Sequence, residues 1–128
     1  MRVTEQATTV DAVVDSYFQM WNETDGDRRL AAITRAWTPG GSYVDPMHVA
    51  SGVGELDAMA AGLQQHYPGH RFRLTDPVEA HHDRARWGWE FVAPDGTTVI
   101  SGVDFAQLDQ AGRLREVVGF FAQPGGAA

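Results

Sequence analysis

Three polar side chains fall where the hydrophobic pattern of this sequence predicts burial, and their types suit proton transfer. Tyr17 sits inside an apolar stripe that Val10, Val13, Val14, Phe18 and Trp21 make at three- and four-residue steps. Asp45 closes a short extended run and directly precedes Pro46. Asp104 alternates in phase with Ile100, Gly102 and Ala106 in the middle of a strand pattern. A buried carboxylate is costly unless it is hydrogen-bonded, paired or kept protonated. Differing surroundings should split the two acids. Asp45, at a strand end that water reaches, is expected as a carboxylate; Asp104, among small residues and facing wide aromatics, is expected as a protonated acid with a raised pKa. Each residue also has an ordinary alternative. A tyrosine on an amphipathic helix is commonly core with its hydroxyl at the rim, and an Asp before Pro is commonly a turn or cap residue. A lone mid-strand Asp is as readily functional as structural.

The elements that must bring these groups together follow from periodicity and punctuation. The stripe predicts a first helix starting at Thr8, where Thr8 and Asp11 make a Thr-x-x-acid capping arrangement. A second helix is expected from Asp27, with Leu30, Ile33, Thr34 and Trp37 on one face and Pro39-Gly40-Gly41 as its end. Ser42 to Asp45 reads as a short strand. Ser51-Gly52 opens a third helix with Leu56, Met59, Ala60 and Leu63 facing inward, ending near Pro68-Gly69. From there the period becomes two. Residues 71–79 alternate with Phe72, Leu74, Asp76 and Val78 on one side, and residues 84–92 set Ala85, Trp87, Trp89 and Phe91 against Arg84, Arg86, Gly88 and Glu90. Pro94-Asp95-Gly96 is a hairpin turn, residues 98–108 are a strand, and Gln110-Ala111-Gly112 turns into a last strand over 114–123. Helices followed by a meander of long strands predict an α+β domain, a curved antiparallel sheet closed by three helices around a pocket.

Size and charge bound the rest. The chain of 128 residues suits one domain spanning 1–128, with the tail 124–128 expected to be flexible. A net charge of −7, with dispersed arginines, argues against nucleic-acid or anionic-membrane partners. There is no cysteine, and the polar N-terminus has no signal-peptide core, which predicts a cytoplasmic protein. Val99, Val103 and Phe105 leave the outer sheet face apolar opposite Ile100 and Gly102, so a homodimer through that face is expected.

The segments 13–17, Val44-Asp45-Pro46, Ser51-Gly52, Gly102-Val103-Asp104-Phe105 and Gly112-Arg113-Leu114 together resemble the nuclear transport factor 2-like superfamily, which includes the SnoaL-like polyketide cyclases and ketosteroid isomerase. The similarity spans roughly residues 8–123. It implies a cone-shaped cystatin-like roll. It also implies a cofactor-independent isomerase or cyclase acting next to a carbonyl on a hydrophobic ligand, with no metal. By resemblance to ketosteroid isomerase, Asp45 is the base, and Tyr17 and Asp104 donate to the developing oxyanion. By resemblance to the cyclases, Asp104 itself takes the base role, so the two acids are interchangeable at this point. Pocket walls would come from Trp21, Trp37, Met47, His48, Met59, Leu63, Trp87, Trp89, Phe91 and Phe121, and the rings of Trp87, Trp89 and Phe91 would narrow the cavity. The alternative is a non-catalytic ligand-binding or association module of the same fold.

Other polar residues weigh less. His48, in a short linker, is either a second acid/base at the pocket edge or an exposed loop histidine. His81-His82-Asp83 cannot direct both imidazoles to one metal ion, because adjacent strand residues point to opposite faces. Arg84 and Arg86 alternate away from the pocket, which disfavours an Asp-Arg-Asp hydrolase arrangement.

Overall fold

Extended backbone begins at the residue where the second helix stops, and that junction sets how the sheet is built. The structure, a computed structural model, describes residues 3–122, with side chains described from Val10 onward. Helices α1 (Val3–Asn22) and α2 (Gly26–Ala36) lead into β1 (Trp37–Val44) and β2 (Val49–Ser51); α3 (Gly52–His66) follows. Strands β3 (Arg71–Leu74), β4 (Glu79–His81), β5 (Arg84–Val92), β6 (Thr98–Leu108) and β7 (Leu114–Phe121) complete the chain. The strands form one sheet in the order β2-β1-β7-β6-β5-β3, with β4 also paired to β5. Three helices cover a curved, unclosed sheet, an α+β roll. The sheet is mixed where the sequence predicts an antiparallel one, because β1 runs parallel to β7. β1 enters from a helix, so no hairpin dictates its direction.

Apolar periodicity explains the packing. Val10, Val13, Val14, Tyr17, Met20 and Trp21 bury one face of α1 in a core cluster that also holds Ala85, Trp87, Trp89 and Phe91 of β5 and Leu114 and Val117 of β7. Asp25 caps α2 by accepting from the Arg28 amide at 2.9 Å. Arg29 is buried but paired. Its Nε donates to Asp57 Oδ1 at 2.6 Å and its Nη1 to the Glu23 carbonyl at 3.1 Å, tying α2 to α3.

Four boundaries differ from the sequence-based expectation. Helix α1 extends back to Val3, so Thr8 does not start it. Trp37 leaves the helix and begins β1 with φ −111° and ψ 145°, and Pro39-Gly40-Gly41 lies within that strand. The β1–β7 ladder is irregular between Trp37 and Ser42, as expected where proline lacks a donor. Val49–Ser51 forms an unforeseen strand against β1. Finally, residues 71–79 split into β3 and β4 around Asp76-Pro77, while the Thr75 amide still reaches the Gly88 carbonyl at 2.9 Å. The predicted turns hold Gly96 and Gly112 at φ +90° and +86°. The tail 124–128 lies outside the described residues. On the outer face, where a second copy was expected, Phe105 and Phe120 are 44% and 54% exposed and pack edge to face.

Gly41 tests the β1 junction. A methyl there would lie 2.6 Å from Trp37 Cε3 and 3.0 Å from the Leu114 carbonyl. Gly41→Ala is therefore expected to destabilise the fold by about 1–3 kcal/mol, and urea unfolding measures it; an unchanged midpoint would contradict this packing.

Candidate active site

Asp104 reaches the interior because β6 alternates, and each of its oxygens meets a donor. Tyr17 Oη on α1 lies 2.7 Å from Oδ2, and the Trp89 indole Nε1 on β5 donates to Oδ1 at 3.0 Å. Two glycines make room. Trp89 pairs with Gly102 across the sheet, and a Cβ at Gly102 would sit 2.5 Å from Trp89 Cζ2. Asp104 pairs with Gly119, where a Cβ would come within 2.9 Å of Asp104 Oδ1.

Burial raises the Asp104 pKa from 3.8 to about 7; the nearby Asp45 adds to the rise, and the hydrogen bonds from Tyr17 and Trp89 oppose it. Burial, reinforced by the Asp104 charge, pushes the Tyr17 phenol well above its usual value, so it stays protonated. The proton on Asp104 has one place to go. An indole N–H only donates, so Oδ1 must accept and the acid hydrogen belongs on Oδ2, facing Tyr17. Protonated Asp104 then donates to Tyr17 Oη, which frees the phenol hydrogen for the cavity. Ionised Asp104 instead captures that hydrogen. The two groups thus act in series, whereas the resemblance to ketosteroid isomerase implies two parallel donors.

Asp45 sits in different surroundings. It occupies the β1–β2 turn, closed by its own amide donating to the His48 carbonyl at 3.0 Å. Its Oδ1 accepts from the Met47 and His48 amides, both at 2.7 Å, and lies 3.2 Å from His48 Nδ1. Its Oδ2 accepts from Tyr43 Oη at 2.7 Å. Burial, then the charges of Asp104 and Asp45, raise the Tyr43 pKa far above the usual phenol range. Tyr43 is a site residue that the sequence reading missed. Its signal was available, since a residue two before Asp45 in an extended run shares its face.

These networks line one cavity of about 650 Å³. Tyr17, Asp45 and Asp104 all contribute to its wall, so the three residues singled out from sequence do meet there. Of the expected wall residues, Trp21, Met47, His48, Met59, Leu63, Trp89, Phe91 and Phe121 line it. Trp37 and Trp87 do not. Each is 1% exposed and packs behind Tyr17, with ring centroids 6.0 and 5.2 Å from it. Trp87 therefore supports the wall without narrowing the cavity. Phe18, Tyr43, His66, Tyr67, Phe72 and Ile100 add surface that the sequence reading did not name as pocket wall. No lysine or arginine is among the lining residues. His81 and His82 lie outside the cavity with rings 5.5 Å apart. Among the described residues no three His, Asp or Glu side chains gather as a metal site, and no helix is long and apolar enough to cross a membrane.

No family model matches the sequence, and no curated protein matches it. Solved structures do. A protein of the SnoaL-like family from Agrobacterium tumefaciens str. C58 is 34% identical, with a TM-score of 0.85 over 91% of this chain and 99% of that chain. The chain belongs to the SnoaL-like family. A candidate SnoaL-like polyketide cyclase from Jannaschia sp. CCS1 shares the fold at 18% identity and a TM-score of 0.64, over 87% of this chain and 85% of that chain. A de novo designed protein with a curved β-sheet does so at 10% identity and a TM-score of 0.69, over 97% and 89% of the two chains. Function in a SnoaL-like chain must accordingly be argued from its site.

The raised pKa of Asp104 has a thermodynamic consequence. The folded state holds a proton that the unfolded chain releases, so Asp104 contributes most to stability below pH 4 and loses that contribution as pH rises through 7. Against Asp104→Asn, wild-type stability should fall by on the order of 4 kcal/mol between those limits. Unfolding titrations of both proteins across this range measure the difference; parallel curves would contradict the buried-acid assignment.

Proposed function

We propose that this protein is a cofactor-independent isomerase or cyclase that moves a proton next to a carbonyl on a hydrophobic small molecule. The observation that carries the reading is the chain Trp89–Asp104–Tyr17, which ends in a phenol on an apolar cavity wall. The SnoaL-like protein from Agrobacterium tumefaciens carries the name of a candidate isomerase, and the Jannaschia protein that of a candidate polyketide cyclase, which supports the same class.

The chemistry follows from where charge develops. A substrate carbonyl accepts the Tyr17 hydrogen. As the α-carbon loses its proton, the C–H pair becomes a C=C bond and the carbonyl π pair moves to oxygen. Tyr17, backed by the Asp104 Oδ2 hydrogen, meets that negative charge on a largely apolar cavity wall. The proton passes to the Asp45 turn on the same cavity and returns at the same or another carbon. With two acids and no lysine or arginine on its walls, the cavity suits a neutral substrate over a carboxylate or phosphate.

Two probes test the reading. 2-Naphthol, a neutral enol mimic, should quench tryptophan fluorescence on binding, and Tyr17→Phe should weaken that binding about tenfold, roughly 1.4 kcal/mol. 2-Tetralone should exchange its α-hydrogens with D₂O faster with protein than without, and Tyr17→Phe should slow this about 10²-fold. Naphthol binding with no accelerated exchange would favour a pocket that only holds its ligand.

A further inference from the structure

We infer that His48 is the group that takes and returns the substrate proton, with Asp45 as the positioning residue that sets its tautomer. The inference rests on the proton-transfer reading above and changes which side chain carries the proton.

Three observations support it. First, Asp45 has no oxygen left for a substrate carbon. Oδ2 is held by Tyr43, Oδ1 faces two backbone amides and the imidazole, and only 5% of the side chain is exposed. Taking a proton on Asp45 would dismantle the contacts that close the β1–β2 turn. Second, a carboxylate only accepts, so the 3.2 Å contact places the hydrogen of neutral His48 on Nδ1 and leaves a lone pair on Nε2. Nε2 makes no hydrogen bond with any described residue, while the side chain is 33% exposed and lines the cavity. Third, the Asp45 turn and the Tyr17–Asp104 pair approach each other. A methyl at Gly119 would lie 2.9 Å from Asp104 Oδ1, 3.2 Å from Tyr43 Oη and 3.3 Å from Asp45 Cβ. A base fixed by a carboxylate thus shares one cavity with the oxyanion donor. His66 also lines the cavity, but its Nδ1 faces the neutral Gly62 carbonyl at 3.0 Å, which would stabilise an imidazolium less than Asp45 does.

The step balances without a co-reactant. His48 Nε2 uses its lone pair to bond the α-hydrogen, the C–H electrons enter the new C=C bond, and the carbonyl oxygen takes the charge. The Asp45 carboxylate offsets the resulting imidazolium. Nε2–H then returns the same proton to carbon.

The intact chain allows two independent tests. In ¹⁵N NMR, neutral His48, assigned by its loss in His48→Gln, should show a protonated Nδ1 and a bare Nε2. The opposite tautomer would overturn the inference whatever the substrate. In the 2-tetralone assay, His48→Gln should lose at least 10²-fold in exchange rate while 2-naphthol affinity stays within threefold, which also reports a folded cavity. Added imidazole should restore exchange to His48→Ala. Exchange within threefold of wild type in His48→Gln would overturn the role of His48 and leave the oxyanion reading intact. Wild type that binds 2-naphthol but accelerates no exchange would instead overturn the reading on which this inference rests.

Discussion

A carboxyl group in an apolar interior must be given donors or a proton, and at Asp104 this chain supplies both. The indole of Trp89 occupies one oxygen and the phenol of Tyr17 faces the other. The requirement reaches well beyond the site. Gly102 stays bare so that the indole can cross β6, and Gly119 stays bare so that the carboxyl can sit beside β7. Trp37 and Trp87 wedge behind Tyr17 and keep its ring in place. One acid thereby constrains the register of three adjacent strands and the azimuth of the first helix.

Much of this was legible from the residues. The helical stripe located Tyr17, and the two-residue period of β6 put Asp104 inside, because burial imposes both periods directly. Asp45 was ambiguous for a physical reason: an Asp-Pro pair serves a turn and a strand end equally well, and only the partners of its oxygens decide. Tyr43 went unnoticed because a tyrosine in a short strand usually signals packing. The β1 boundary misled because Pro39-Gly40-Gly41 resembles a helix stop, whereas the buried Trp37 indole anchors an irregular strand. Local punctuation cannot reveal that outcome, since the Trp37 end of β1 pairs only with Leu114 of β7, far along the chain.

Architecture and chemistry separate cleanly here. A designed chain reaches a similar curved-sheet fold at 10% identity, so the roll needs little more than patterning, turns and glycine bends. The candidate chemistry of this chain lies in a small polar set on an apolar cavity. A buried acid backs one phenol, while a turn carboxylate holds a second phenol and an imidazole. The two sets share a wall, and the proposed chemistry gives them separate tasks, charge stabilisation to one and proton transfer to the other.

The last strand lies in the middle of the sheet, between β1 and β6. Tyr43 and Asp45 belong to one side of that seam and Asp104 to the other, with Gly119 between them. Until β7 is synthesised and inserted, β1 and β6 are not joined and the two acids are not brought to one cavity. Assembly of the cavity thus waits for β7 and depends on pairings of long sequence separation, which slow folding. A ribosome-bound chain lacking β7 would hold every polar side chain of the proposed chemistry but not the seam that brings the Asp45 turn beside Asp104.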